Sequence, residues 1–315
     1  MPDSSFEFAE QLVPLHWNGL ILQVPPDWTP AVLDGRYLLA EAGDVPVMEV
    51  KWQPIQGRFS VAKTIRKLAK GVQGAELFID EKDAQTPPVP EQWTEAVTRL
   101  EERGFHVKPI FWRASDLHED AKQSPHISAG RGAVVYDPAS NMAWLIQFYE
   151  TGTGSIKEDA AKVLLSLRSP EPRQWLPWQV FGIRFQSPPW LELMRHAFNP
   201  GRYRLEFKGR GWHNATRLVL ERVGPARAVL RGAGLREWAE SYYARELTSM
   251  KPVEGRPQVA EVRWQQLPGR VLQRGGRACV RLSMDGQMIL AVFLLNARVA
   301  ELNAFQEIDQ AYGIV

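Results

Sequence analysis

The sequence predicts an α+β protein made of two tandem repeats, each an antiparallel sheet flanked by helices. Three observations carry that expectation. The chain has 315 residues, room for two domains of roughly 150 residues each. Pairs of apolar runs around short turns read as hairpins. A segment near the N-terminus recurs in the middle of the chain, and such self-similarity governs the reading of the whole fold. With 44% apolar and 23% charged residues, the composition is that of a folded globular chain and excludes disorder and collagen. The lone Cys279 excludes an intrachain disulfide and any cysteine-based zinc site.

The recurrence begins with an aromatic residue, a glycine, a short alternating strand, a glutamine, two prolines and a tryptophan. It runs from Trp17 to Trp28 and again from Trp178 to Trp190, with Gly19 matching Gly182, Gln23 matching Gln186 and Pro25-Pro26 matching Pro188-Pro189. Gly35-Arg36-Tyr37 recurs as Gly201-Arg202-Tyr203, and a strand over 47–52 has its counterpart over 217–222. An amphipathic helix is predicted over 59–71 and another over 235–247. Hairpins follow around the turns at 137–141 and Asp285-Gly286, and each half closes with a helix, over 155–167 and 300–312.

These matches set the domains. The first repeat spans 1–168 and holds an insertion at about 71–104, with a helix over 91–103 preceded by prolines, the position that suits them. A linker over 169–177 carries three prolines, which cannot continue a helix and stiffen the connection. The second repeat spans 178–315. Within it, Tyr203, Leu205 and Phe207 fall on one face at period two, and Arg202, Arg204 and Glu206 on the other.

The stretch Gly19 to Trp28, and more loosely Gly182 to Trp190, resembles the opening of the PsbP/Mog1-like group and its bacterial relatives. There a Gly-apolar-x-apolar strand leads into a Pro-x-Trp turn. The resemblance implies an antiparallel sheet flanked by helices and a binding module that docks onto other proteins. No site residue carries over, because no motif beyond the turn matches.

Catalytic signatures are missing from the sequence. It has no GxxxxGK[ST] loop and no G-x-S-x-G elbow, and Gly152-Thr153-Gly154 reads as a turn before a helix. Asp116, His118, Glu119, Asp120 and His126 match no metal-ligand spacing and read as a loop, although His118, Glu119 and His126 are the first suspects for an enzyme or small-molecule site. Cys279 lies in a strand between Arg277 and Arg281 and reads as a small apolar filler. No metal or cofactor is expected. Of the 12 tryptophans, Trp17, Trp28, Trp178 and Trp190 read as core and turn packing.

Charge supplies the functional expectation. Residues 1–168 hold 17 Lys+Arg against 23 Asp+Glu, and 169–315 hold 21 against 13, with 19 of those 21 cations arginine. Guanidinium forks suit carboxylate and phosphate. The expected binding residues are Arg202, Arg204, Arg210, Trp212, Arg217 and Arg222 on the sheet of the second repeat. The expected function is non-catalytic binding or scaffolding with a protein partner. Single-stranded nucleic acid is disfavoured because acidic residues are interspersed and no dense basic run appears. The longest apolar run, Met288 to Leu295, is far short of the ~20 residues of a membrane span. With no signal peptide visible at Met1 to Glu7, a cytoplasmic location is the default.

Overall fold

A computed structural model describes residues 12–61, 63, 75–78, 89–114, 129–150, 156–171, 173–253, 260–269 and 273–315. The chain is a mixed α+β protein whose strands all pair antiparallel. It divides into two compact units, 1–172 and 173–315. That division falls inside the expected linker, but residues 176–177 already belong to a strand. Among the described residues no helix is long and apolar enough to cross a membrane.

The first unit opens with a hairpin of β1 (Val13–Trp17) and β2 (Leu20–Val24). Its turn residues Asn18 and Gly19 have φ of +46° and +88°, the two positive values of a type I′ turn, which matches the twist of the strands it joins. Then come β3 (Trp28–Asp34), β4 (Tyr37–Ala42), β5 (Val45–Pro54), β6 (Ala75–Phe78), α1 (Glu91–Glu102), β7 (His106–Ala114), β8 (Ala129–Asp137), β9 (Met142–Glu150) and α2 (Ile156–Ser166). The sheet has the order β3-β4-β5-β9-β8-β7-β6. Helix α1 buries Trp93, Ala96 and Leu100, spaced to share one helical face. Trp93 meets Phe148 of β9 edge-on, with centroids 5.9 Å apart. Leu38, Met48, Trp144 and Phe148 complete that core.

The second unit begins with β10 (Leu176–Val180) and β11 (Ile183–Ser187), joined by Phe181 and Gly182 at φ of +49° and +71°, the same turn type. β12 (Leu191–Asn199), β13 (Arg202–Gly209) and β14 (Arg217–Val223) follow. Three short helices come next, α3 (Ala226–Leu230), α4 (Leu235–Tyr242) and α5 (Ala244–Leu247). After them run β15 (Lys251–Val253), β16 (Glu261–Gln266), β17 (Arg274–Leu282) and β18 (Ile289–Arg298). Helices α6 (Val299–Leu302) and α7 (Ala304–Ala311) lead to β19 (Gly313–Ile314), which pairs with β11. The sheet order is β12-β13-β14-β18-β17-β16-β15.

Numbered from its own first strand, each seven-stranded sheet has the order 1-2-3-7-6-5-4. The fourth and fifth strands are separated by residues 79–105 in the first unit and by 254–260 in the second. Extra chain in the first unit therefore lies after β6, because β6 is itself a sheet strand. The helix expected over 300–312 is broken at Asn303, and the one over 235–247 at Tyr243. Most of the helix expected over 59–71 lies outside the described residues.

Both faces of the second sheet are covered, but differently. Leu205 and Phe207 face the β10–β11 hairpin, where Phe207 lies 5.1 Å from Trp178 and 5.7 Å from Phe185, centroid to centroid. On the opposite face Val219, Trp264, Ala278, Val280, Ala291 and Phe293 pack with Ala239, Tyr243 and Leu247 from the α4–α5 segment. Towards β12 and β13 that same face turns from apolar to charged.

Candidate functional site

The charged region is assembled by strand register. β13 projects Arg202, Arg204, Glu206 and Lys208 to the helix-bearing face, and β14 sets Glu221 opposite Arg204, Val219 opposite Glu206 and Arg217 opposite Lys208. β12 places Arg195 opposite Glu206, and β18 places Leu295 opposite Arg217. Arg245 and Glu246 come from α5. All of these except Arg202 and Glu221 line an open groove of about 640 Å³, within the size range of ligand pockets.

An ion-pair network is built under this groove. Glu221 is fully buried. It accepts from Arg202 Nε at 2.6 Å, Arg204 Nη1 at 2.7 Å and the Tyr242 hydroxyl at 3.3 Å. Arg204 also donates to Glu206 and Glu246, both at 2.9 Å, and Arg217 donates to the other Glu206 oxygen at 3.0 Å. Burial works against the charge on Arg204, but its bonds to Glu246 and Glu206 and the charge of Glu221 outweigh that and stabilise the cation. Burial would likewise raise the Glu206 carboxyl; the hydrogen bonds and charges of Arg204 and Arg217 hold it below its ordinary value.

Among the described residues five cations line the groove: Arg195, Arg204, Lys208, Arg217 and Arg245. Among the described residues Glu206 and Glu246 are its only carboxylates, and Arg204 binds both, with Arg217 on the second oxygen of Glu206. Arg195, Lys208 and Arg245 are exposed and form no ion pair among the described residues. Arg217 has a buried Nε without a hydrogen-bond partner. The rim is thus cationic and uncommitted, above a base whose charges cancel.

Of the six residues singled out from sequence, Arg204 and Arg217 line this groove and Arg202 reaches it through Glu221. Arg210 pairs with Glu192 at 3.3 Å, both side chains about half exposed. Trp212 is 81% exposed in a 3₁₀ turn, Gly211–His213, and its carbonyl accepts from Arg298. Arg222 points to the opposite face, stacked 3.8 Å over the Tyr203 ring and donating to the Phe181 carbonyl. Sequence reasoning missed Arg195, Lys208 and Arg245. The period-two pattern of β13 reaches Lys208. Arg195 and Arg245 depend on a bulge and on where α5 packs.

Other titratable groups have structural settings. His213 Nδ1 lies 2.6 Å from Glu301, which also accepts from Thr216 and from the Arg298 backbone N–H. Glu301 thereby closes the capping box of α6, satisfying donors that a helix start leaves open. Cys279 is fully buried, and burial, with Asp309 and Glu261 nearby, pushes its thiol up to about 12. Its neighbour Arg281 is engaged by Asp309. Among the described residues no group of three or more His, Cys, Asp or Glu could hold a metal. His118, Glu119 and His126 lie outside the described residues.

No protein-family model matches the chain, and no curated protein matches it in sequence. The site is therefore read from its own chemistry.

Proposed function

We propose that the chain is a non-catalytic binding protein, built from two tandem α+β copies of PsbP/Mog1-like type, whose second copy holds an acidic protein partner in the cationic groove. The observation that carries this is the separation of charge within the groove. Arg204 engages the carboxylates below, which leaves Arg195, Lys208 and Arg245 at the rim for an incoming anion. Arginine-rich surfaces suit carboxylates because the guanidinium fork matches them. The common strand order of the two sheets supports the tandem reading.

Titration of the full chain with polyglutamate by calorimetry, at low and high salt, tests the proposal. Saturable binding is expected, weakened by salt and abolished in the double variant Arg195→Glu/Arg245→Glu. Binding that survives both substitutions, or none at low salt, overturns it.

A further inference from the structure

The groove is not uniformly polar, and its apolar part has a definite origin. In β12 the pairing with β13 shifts between Leu193 and Arg195, so Met194 is the extra residue of a β-bulge. A regular strand sends successive side chains to opposite faces, whereas a bulge re-aims one of them. Here Met194 and Arg195, adjacent in sequence, both line the groove. Met194 is 43% exposed. The half-buried Leu295 of β18 supplies a second apolar surface in the same groove. The cations Arg195, Lys208 and Arg245 come from β12, β13 and α5 around them.

Resting on the reading of the groove as an acidic-partner site, we propose that its occupant is an extended acidic segment that crosses the groove towards Leu295 and seats one apolar side chain against Met194 while flanking carboxylates meet Arg195, Lys208 and Arg245. The dimensions fit. From β12 across β13 and β14 to β18 is three strand spacings, about 14 Å at ~4.8 Å each, which an extended chain covers in roughly four residues at ~3.3 Å per residue. An apolar anchor with charged flanks also fits the usual division of binding energy, in which a seated side chain supplies affinity and rim charges supply orientation and on-rate. A nucleic acid strand fits less well. Among the described residues no aromatic side chain lines the groove for base stacking.

The test is fluorescence anisotropy on the full chain with three labelled nine-residue peptides. One is all glutamate with leucine at the centre, one has glycine there instead, and one has lysines around the leucine. The leucine–glutamate peptide is expected to bind roughly tenfold more tightly than the glycine one, and the lysine peptide not at all. Met194→Gln, at an exposed position, is expected to shrink that tenfold gap. Equal affinity for the two acidic peptides overturns the anchor but leaves the acidic-partner reading standing. If neither acidic peptide binds, that reading itself fails. Tighter binding of an oligothymidylate, lost in Arg195→Glu/Arg245→Glu, would assign the groove to nucleic acid and overturn both.

Discussion

Replacing Glu221 by glutamine is the sharpest test of the network beneath the groove. The substitution keeps the shape and removes the charge from a side chain with no solvent exposure. Arg202 at 2.6 Å and Arg204 at 2.7 Å would then face a neutral amide, whose NH₂ group repels their donors. Removing one partner of a buried pair costs ~3–5 kcal/mol, chiefly because the remaining charge is left uncompensated. The lower end applies here. The Arg202 side chain is 46% exposed and recovers water, and Arg204 keeps Glu206 and Glu246. A loss of about 3 kcal/mol lowers the melting temperature of the second unit by roughly 6–12 °C, at ~2–4 °C per kcal/mol. Glu192→Gln is the control, because its pair with Arg210 has both side chains about half exposed and such pairs are worth ~1 kcal/mol or less. Both variants can be followed by urea and thermal unfolding with far-UV circular dichroism. If Glu221→Gln falls within 1 kcal/mol of the parent, or Glu192→Gln costs as much, the buried network does not act as the geometry requires.

Acid should weaken the second unit through Glu206 and Glu301. Burial raises both carboxyls, but Arg204 and Arg217 around Glu206, and Thr216, the Arg298 backbone and His213 around Glu301, bring them below their ordinary 4.5. A carboxyl depressed in the folded state stabilises it above the unfolded value, and that contribution disappears as pH falls through the lower folded value. Urea midpoints should therefore fall as pH drops from about 4.5, and Glu206→Gln should show a smaller acid-induced loss than the parent; an equal loss refutes the assignment. Cys279 gives a simpler check. With its thiol buried and pushed up to about 12, it should be silent to a thiol reagent in the native protein at neutral pH and react fully in guanidinium, whereas rapid native labelling would contradict its burial.

Local features of this fold were legible because their causes are local. The turn after β8, the closing helix of the first unit and the alternation along β13 follow from turn chemistry and periodicity in a few neighbouring residues. What slipped was register. Matching Gly35 to Gly201 sets Tyr37 on Tyr203. In the sheets, Asp34 pairs with Tyr37 across a Gly35-Arg36 turn, and Asn199 pairs with Arg202 across Pro200-Gly201. Laid strand on strand, Tyr37 corresponds to Arg202, and a one-residue slip exchanges the two faces. Trp190 shows the same effect. The first strand residue bonded back to a proline carbonyl is Trp28 in β3 but Leu191 in β12, which leaves Trp190 to stack on His213 at 4.8 Å. The groove was legible only where parity sufficed. Arg204 and Lys208 share a face by even spacing, whereas Arg217 and Arg222 are split by odd spacing. No count along the sequence announces the bulge at Met194 or the placement of Arg245.

The network also explains why the rim stays cationic. Glu206 lies directly across from Arg195 on the neighbouring strand, and Glu246 adjoins Arg245 in α5. Glu206 thus has a rim cation directly across the strand pair. Arg204 draws both carboxylates inward, and Glu221 holds Arg204 in place from below. An apolar pair at 204 and 221 could match the stability of this arrangement, since buried ion pairs rarely outperform well-packed hydrophobic residues. It would free the Glu206 oxygen now held by Arg204 to approach Arg195, while Arg217 keeps the other. The buried charges therefore contribute something beyond stability: by occupying the local carboxylates, they leave the rim arginines open to those of a partner.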